Sequence, residues 1–459
     1  MFDIVLNNGF VIDPKNRIMS KLNIGIKEGL ISIITKDRIS GKKEYDCSNF
    51  VITPGFVDIH IHEDPFDYET KQFEICISEC MLKMGVTSAL GGNCGIGPKN
   101  FTTYLDEVEK QGHPINLGLL SAHGSLRDSV GTFDKYKSVD TLVIDKMCKQ
   151  LEVELKKGSV GLSLGIRYIP GINKEEMLAL SKIVKQYDGI IAAHIRDDCD
   201  GVIAALMELI QLGIDTGVKL QISHIGSMAA FGQMEKVYEI IDHYAIKGLD
   251  IGIDCYPYNA FCTAIGSTTF DEGFLERYGI DYSALEITEG AHKGKRLSRN
   301  TFAEIRKNHP EYLAIAHVMK EDEVDMAFRH PKTVVASDGI LNNGNGHPRA
   351  AGTFPRFIRE YVLNKKIISL YDAVSKMTYL PAKRFGIDKG TLSLGADADI
   401  TVFNLDKIQD KASFEKPLQG PDGIEYVFIQ GKLALEKGSI VNNTLGRALI
   451  SEKISAGEN

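Results

Sequence analysis

The apolar run Pro54-Gly55-Phe56-Val57-Asp58-Ile59 ends in His60, and after Ile61 comes His62. Side chains two apart on a strand share one face, so both imidazoles can converge on one point, which is a metal-ligand geometry. A core strand carrying two hydrogen-bonded histidines is the competing reading of this stretch. Four more residues of ligating or proton-transferring type follow other apolar runs. Cys94 sits in Gly91-Gly92-Asn93-Cys94-Gly95, His194 follows Ile190-Ile191-Ala192-Ala193, His224 follows Leu220-Gln221-Ile222-Ser223, and Asp338 follows Thr333-Val334-Val335-Ala336-Ser337. Singly these are ordinary: a histidine after a strand is commonly structural, and a cysteine among glycines can simply be a small residue that fits. Together they offer the nitrogen, sulfur and oxygen donors of a one- or two-metal hydrolytic site. Imidazole and thiolate suit Zn²⁺, and a thiolate can bridge two metals.

Positioning such donors together requires a particular architecture. From about 54 to 383, apolar strands alternate with amphipathic helices: a helical stripe between Glu69 and Gly85, a strand over Val86–Leu90, and helical stretches near 141–156, 202–214 and 230–247. That alternation favours a parallel sheet with helical crossovers, and no glycine-rich dinucleotide fingerprint follows the first strand. The expectation is an α/β chain built on a (β/α)8 TIM-like barrel, where catalytic groups stand just past the C-terminal ends of the strands. All six candidates hold that position. Residues 1–53 and 384–459 read instead as short strands broken by turns, and are expected to form one small β domain together. Residues 271–312 fit the alternation poorly and read either as an insertion over the site mouth or as a solvated connection.

The 459 residues suffice for one large core plus a smaller domain. Fifty-three Lys and Arg against 61 Asp and Glu, a formal charge of -8, give no reason to expect nucleic acid or an anionic membrane as partner. A small-molecule substrate is expected, and a homo-oligomer is compatible with the sequence without being specified by it. No stretch approaches the roughly 20 apolar residues that span a bilayer, and the N-terminus lacks a basic start, so a soluble, cytoplasmic protein is expected. Eight cysteines lack the density of a disulfide scaffold and are expected to be reduced core residues for the most part. Among other histidines, His123 is expected to be buried and structural, and His113, His243, His309 and His330 to lie at the surface.

Over nearly its whole length the sequence resembles the amidohydrolase superfamily, and within it the N-acyl-D-amino-acid deacylase (D-aminoacylase) family. The motifs are Gly-Phe-Val-Asp-Ile-His-Ile-His at 55–62, Gly-Asn-Cys-Gly at 92–95, Ala-His-Ile-Arg at 193–196, Ile-Ser-His at 222–224, Tyr-Pro-Tyr at 256–258, Ser-Asp-Gly at 337–339 and His-Pro-Arg at 347–349. The resemblance implies a barrel joined to a β-sandwich made from both chain ends. It also implies one tightly bound Zn²⁺ on Cys94, His194 and His224, beside a second, weaker metal position lined by His60, His62 and Asp338. Many relatives bridge two metals with a modified lysine after the fourth strand, but residues 158–167 contain no lysine there.

The implied activity is a zinc-dependent amide hydrolase removing the acyl group from an N-acyl-D-amino acid or a related linear amide. Asp338 is the candidate general base, a ligand, or both. Tyr256, Arg196 and Arg349 are candidates for the substrate carboxylate, since guanidinium and phenol supply charge-assisted hydrogen bonds. One departure stands out: many members carry a lysine two residues after the histidine matching His224, and this chain has Gly226. The alternatives are a cyclic-amide hydrolase of the hydantoinase or dihydroorotase kind and a non-catalytic barrel scaffold. Loss of ligands is the signature expected of the scaffold, and none is missing.

Overall fold

Strands buried on both faces read as continuous apolar runs, and these occupy the middle of the chain. The computed structural model describes residues 1–450, and in it every residue of Val86–Gly91, Gly161–Gly165, Ile190–His194 and Ile251–Cys255 is buried. These strands lie parallel in two hydrogen-bonded series. Phe56–Asp58, Val86–Gly91 and Asn116–Leu119 form one. Ser121–Ala122, Gly161–Gly165, Ile190–His194, Lys219–Ile222, Ile251–Cys255 and Thr333–Val335 form the other, in that order. Main-chain bonds join the two series on both sides. Val160 N–H donates to the Leu119 carbonyl (3.1 Å), Asp338 N–H to that of His60 (2.8 Å), and His62 N–H to that of Gly339 (2.9 Å).

Helices cross between the strands, and their ends are written in the sequence. Thr141–Lys157 starts where Asp140 accepts the Val143 N–H and stops at left-handed Gly158, and Val202–Thr216 stops at left-handed Gly217. The stretch near 230–247 holds a helix over Met234–Ile246.

The stripe between Glu69 and Gly85 is a different case, because only Ile77–Lys83 is helical. A short hairpin, Phe66–Asp67 with Gln72–Phe73, precedes it. The buried Asp64 carboxylate explains the late start: it accepts the N–H groups of Cys76 (2.6 Å), Ile77 (2.7 Å) and Ser78 (3.0 Å), which fixes the first turn there. Phe73 belongs to an aromatic cluster with Phe66 and Tyr104 instead of continuing a helical face.

Strands from both chain ends share one nine-stranded sheet. Val51–Pro54 lies between Phe2–Asp13 and Ile400–Phe403, and after Gly55 the chain enters Phe56–Asp58 directly. Gly55 permits this: a Cβ there would lie 2.0 Å from Thr87 Oγ1. The terminal sheet has its own core, including Leu6, Ile24, Ile52, Ile400 and Phe428.

The irregular region is wider than 271–312. Phe261–Ala264, Leu285–Ile287 and Leu313–Ala316 form an antiparallel sheet, with helices Phe274–Tyr278 and Arg299–Asn308 beside it. Among the described residues, no helix is long and apolar enough to cross a membrane.

Asp64→Ala would leave a helix start and its buried N–H groups without an acceptor. A loss of about 2–4 kcal/mol is expected in denaturant unfolding, with the far-ultraviolet spectrum of the folded state nearly unchanged.

Candidate metal centre

The C-terminal ends of the parallel strands bring five of the donors into one buried cluster around Cys94, and His62 stands at its edge. Cys94 occupies a turn in which Gly92, Cys94 and Gly95 are all left-handed, with φ of 74°, 54° and 71°. Glycine is required on both sides, because a Cβ would lie 2.2 Å from the Leu120 carbonyl at Gly92 and 2.7 Å from Gly165 N at Gly95. Three side chains lock the turn. Glu63 accepts the Gly92 N–H (2.6 Å), Asn93 donates to the Leu90 carbonyl (2.9 Å), and Ser163 accepts the Gly95 N–H (3.0 Å) while donating to the Gly92 carbonyl.

The thiol so presented meets two imidazoles: Cys94 Sγ lies 3.3 Å from His60 Nε2 and 3.3 Å from His224 Nε2. Asp338 Oδ1 lies 3.4 Å from both His60 Nε2 and His62 Nε2. The donors fall into two groups that share the sulfur, namely His60, His62, Cys94 and Asp338, and Cys94, His194 and His224, with ligand atoms in each group within 4.8 Å of one another. Two donors bound tetrahedrally to one zinc at roughly 2.0–2.3 Å stand roughly 3.3–3.8 Å apart. The observed spacings match that range, and the mixture of sulfur, nitrogen and oxygen suits zinc.

The tautomers follow from the outer contacts. Asp254 Oδ1 takes His60 Nδ1 at 3.2 Å, which turns the His60 Nε2 lone pair toward the cluster. Ser227 Oγ donates to the His224 carbonyl (2.9 Å) and so accepts from His224 Nδ1 (2.9 Å), again freeing Nε2. His194 packs edge-on to His224, with ring centroids 4.5 Å apart.

Charge is concentrated here. Burial alone would raise the Cys94 thiol, but His60 and His224 pull it well below its ordinary value, which favours a thiolate. Burial would lower His60, yet Cys94, Asp254 and Asp338 outweigh it and raise the imidazole well above its usual range. Burial likewise opposes ionisation of Asp338, and Arg349, followed by His224 and His60, holds its carboxyl well below the usual carboxylate range. Two buried anions thus face a ring of nitrogen donors, an arrangement that a divalent cation balances.

The substrate-binding candidates separate. Arg349 is buried, donates from Nη2 to Asp338 Oδ2 (2.9 Å) and to the Cys262 carbonyl (3.2 Å), and stands 4.5 Å over the Tyr256 ring. Its Nε and Nη1 have no hydrogen-bond partner. Arg196, by contrast, spends its fork elsewhere: Nε and Nη2 each donate to Glu208 at 2.8 Å, and Nη1 and Nη2 reach the carbonyls of Pro170 and Ile172. It ties loops together and is not free to meet a carboxylate. A cavity reaches the cluster between Tyr168, Phe261, Thr269 and Tyr278, so the antiparallel region overhangs the site.

Other histidines are placed partly as expected. His123 is buried against Glu176 (2.7 Å). His113 is also fully buried, between Ser78 Oγ and the Ile115 carbonyl (3.3 Å each), because the helix start at Asp64 packs over it; the surface expectation fails there. His330 is half-buried, stacked on Tyr238 at 4.1 Å, since its ring closes over an apolar helix face. Sequence reasoning missed Asp254 and Glu63, and quoted His347 within a motif without a role; its Nδ1 accepts the Arg349 backbone N–H (3.0 Å). The signal for Asp254 was available: an acid inside the apolar run Ile251-Gly252-Ile253-Asp254-Cys255.

Fold and site together define a metal-dependent hydrolase of the amidohydrolase class. The sequence profile of the amidohydrolase family matches residues 229–434. N-acyl-D-glutamate deacylase of Alcaligenes xylosoxydans xylosoxydans is 30% identical, aligned over 94% of this chain and 93% of that protein. D-aminoacylase of the same organism is 28% identical over 98% and 97% of the two chains. Among solved structures, N-acyl-D-glutamate deacylase from Bordetella bronchiseptica, complexed with zinc and a phosphonate mimic of the tetrahedral intermediate, superposes with a TM-score of 0.88 at 26% identity, covering 98% of this chain and 99% of that one. The chain belongs to the N-acyl-D-amino-acid deacylase (D-aminoacylase) family of amidohydrolases.

Cys94→Ala removes the sulfur shared by both donor groups. Zinc content after dialysis against a weak chelator is expected to fall to below a tenth of the unsubstituted protein's, measured by elemental analysis.

Proposed function

We propose that the chain is a zinc-dependent amide hydrolase that removes the acyl group from an N-acyl-D-amino acid or a related linear amide. The observation that carries this reading is the placement of Asp338, with one oxygen among the histidine nitrogens and the other on Arg349, whose remaining N–H groups are buried and unpartnered. In this reading Cys94, His194 and His224 hold the principal zinc, and His60, His62 and Asp338 line a second, weaker position. The eight parallel strands, counting Asn116–Leu119 and Ser121–Ala122 as one, close as a (β/α)8 barrel over about 54–383. The terminal segments, 1–53 and 384–450, pack as a sandwich around their own core, the last residues of the expected 384–459 lying outside those described. The main-chain bonds between His60 and Asp338 and between Leu119 and Val160 support the closure.

When bound, zinc supplies polarisation of the amide carbonyl and brings the pKa of water to about 7. The chain's own residues do the rest. Asp338 takes the proton of the attacking water and returns it to the amide nitrogen as the C–N bond breaks. Arg349 keeps that carboxylate ionised and aimed, and its unpartnered Nε and Nη1, which face different directions, each offer the substrate carboxylate a single charge-assisted hydrogen bond. Tyr256, stacked beneath the guanidinium, fixes its plane. Burial of the cluster strengthens each of these interactions.

Gly226 supplies no second cation for the carboxylate at its own position. A Cβ at 226 would lie 3.0 Å from Cys255 Sγ and 3.1 Å from Met319 Cε, tight contacts with two sulfur side chains that stand where a larger residue would begin.

Asp338→Asn retains a similar shape without the base. The zinc-loaded variant is expected to keep its principal metal and lose about 10²–10⁴-fold in kcat; full activity would remove Asp338 from proton transfer. Paired D- and L-acyl amino acids, dipeptides and hydantoins assayed with the zinc-loaded protein test the substrate class. Preference for the D-acyl amino acids is expected, and ring opening alone would overturn the reading.

A further inference from the structure

Beneath the donor cluster, polar side chains form a continuous column inside the parallel strands. Asp254 holds both arms of the cluster: Oδ1 accepts from His60 Nδ1 (3.2 Å) and from the backbone N–H of His224 (2.8 Å). The second contact fixes His224 in its left-handed conformation, φ 35°. Asp254 is in turn held by Gln221, whose Nε2 donates to Oδ2 at 2.9 Å. The opposite end of the same amide, Oε1, accepts from Arg384 Nε at 3.3 Å. Only one orientation of the Gln221 amide satisfies both neighbours, because its carboxylate neighbour requires a donor and its guanidinium neighbour an acceptor. Arg384 is anchored in its turn on Asp250 and on the Leu220 carbonyl.

The backbone makes room for this column. Gly252 is the cross-strand partner of Gln221, and a Cβ there would lie 2.5 Å from Gln221 Oε1 and 2.6 Å from Arg384 Nε. Gly252 and Asp254 are two apart on one strand and share the inward face, so Gln221 and Gly252 mark a lower layer and Asp254 the layer under the histidines.

We propose that Gln221, oriented by Arg384 from the floor of the barrel, is a positioning residue for the metal centre: it fixes the Asp254 carboxylate that sets the His60 tautomer and the His224 backbone. Its role is exerted wholly through Asp254, since neither Gln221 nor Arg384 touches a donor atom of the cluster. The column presents donors to acceptors in one sense from Arg384 to Asp254, and reversing one partner breaks it.

Gln221→Glu is the discriminating substitution. A glutamate retains the length and accepts from Arg384 at least as well, so the floor contact is kept, but it cannot donate to Asp254 and sets one carboxylate against another. Gln221→Met is the second variant, with similar length and no hydrogen bonds. The full-length protein, stripped of metal, is titrated with zinc against a competing chelator, and its Co²⁺-loaded form is examined by visible spectroscopy, alongside the melting temperature of the stripped protein. Loss of an outer partner of a metal ligand typically weakens metal affinity about 10- to 100-fold. That loss is expected in Gln221→Glu, with an altered Co²⁺ spectrum and a melting temperature within about 3 °C of the parent's. Gln221→Met should show the same weakening, and is decisive if the glutamate variant does not fold. Parent-like zinc affinity and Co²⁺ spectrum in a folded variant would overturn the proposal, as would a spectrum unchanged while only melting falls. Failure of the parent itself to bind zinc would instead overturn the proposed metal reading, so the two failures are told apart in one titration.

Discussion

A sulfur anion buried away from water must be balanced by what surrounds it, and the upper end of the parallel strands is arranged to do so for Cys94. Two imidazole nitrogens stand 3.3 Å from the sulfur, and each ring is turned by a partner on its far side, Asp254 for His60 and Ser227 for His224. This costs backbone strain. Cys94, His224 and Asp338 are all non-glycine residues in the left-handed region, at φ 54°, 35° and 49°, and such conformations persist only where their surroundings over-determine them. Glu63, Ser163 and Asn93 supply that constraint for Cys94, and Asp254 for His224. Asp58, itself pushed up to about 7 by burial, accepts the Ser337 N–H one residue before Asp338. Strain therefore collects where three strands end, and turns three side chains inward that an ordinary extended backbone would send elsewhere.

The sequence discloses the donors more readily than their supports. His60, Cys94, His194, His224 and Asp338 are legible because each interrupts an apolar run at the same kind of position, and that coincidence survives uncertainty about any one strand. Their supports are spread over the chain: Asp254 lies 194 residues from His60, and nothing in local periodicity announces the pairing. The helical stripe between Glu69 and Gly85 misleads for the same reason. Its spacing is right for a helix, but Asp64, outside the stripe, determines where the helix begins. Arg196 illustrates the converse limit. Its adjacency to a candidate ligand, His194, suggests substrate contact, whereas Glu208, on the following helix, takes the guanidinium first.

A polar column within the parallel strands is a poor source of net stability, since desolvating Asp254, Gln221 and Arg384 offsets what their hydrogen bonds return. Packed aliphatic side chains would fill that space at less cost. What the polar groups supply is direction: a carboxylate held on both oxygens cannot rotate, so His60 Nδ1 has one acceptor and His224 one backbone conformation. Gly252 belongs to the same logic, because omitting its side chain admits Gln221 and Arg384 to the interior. Stability is supplied instead by the large apolar cluster outside, between strands and helices.

The balance of charge around Arg349 bears on which substrates suit the site. Its Nη2 already serves Asp338, so on the proposed reading a substrate carboxylate would share the cation through a single remaining donor, Nε or Nη1. On that reading sharing works in both directions: an incoming anion would partly neutralise the guanidinium whose charge favours the ionised Asp338 carboxylate. A second cation at position 226 would damp that coupling by carrying part of the carboxylate's charge. Met319 and Cys255 stand where a larger residue would begin. On the proposed reading, the price of Gly226 is affinity for the carboxylate, and its return is that coupling between anion and base.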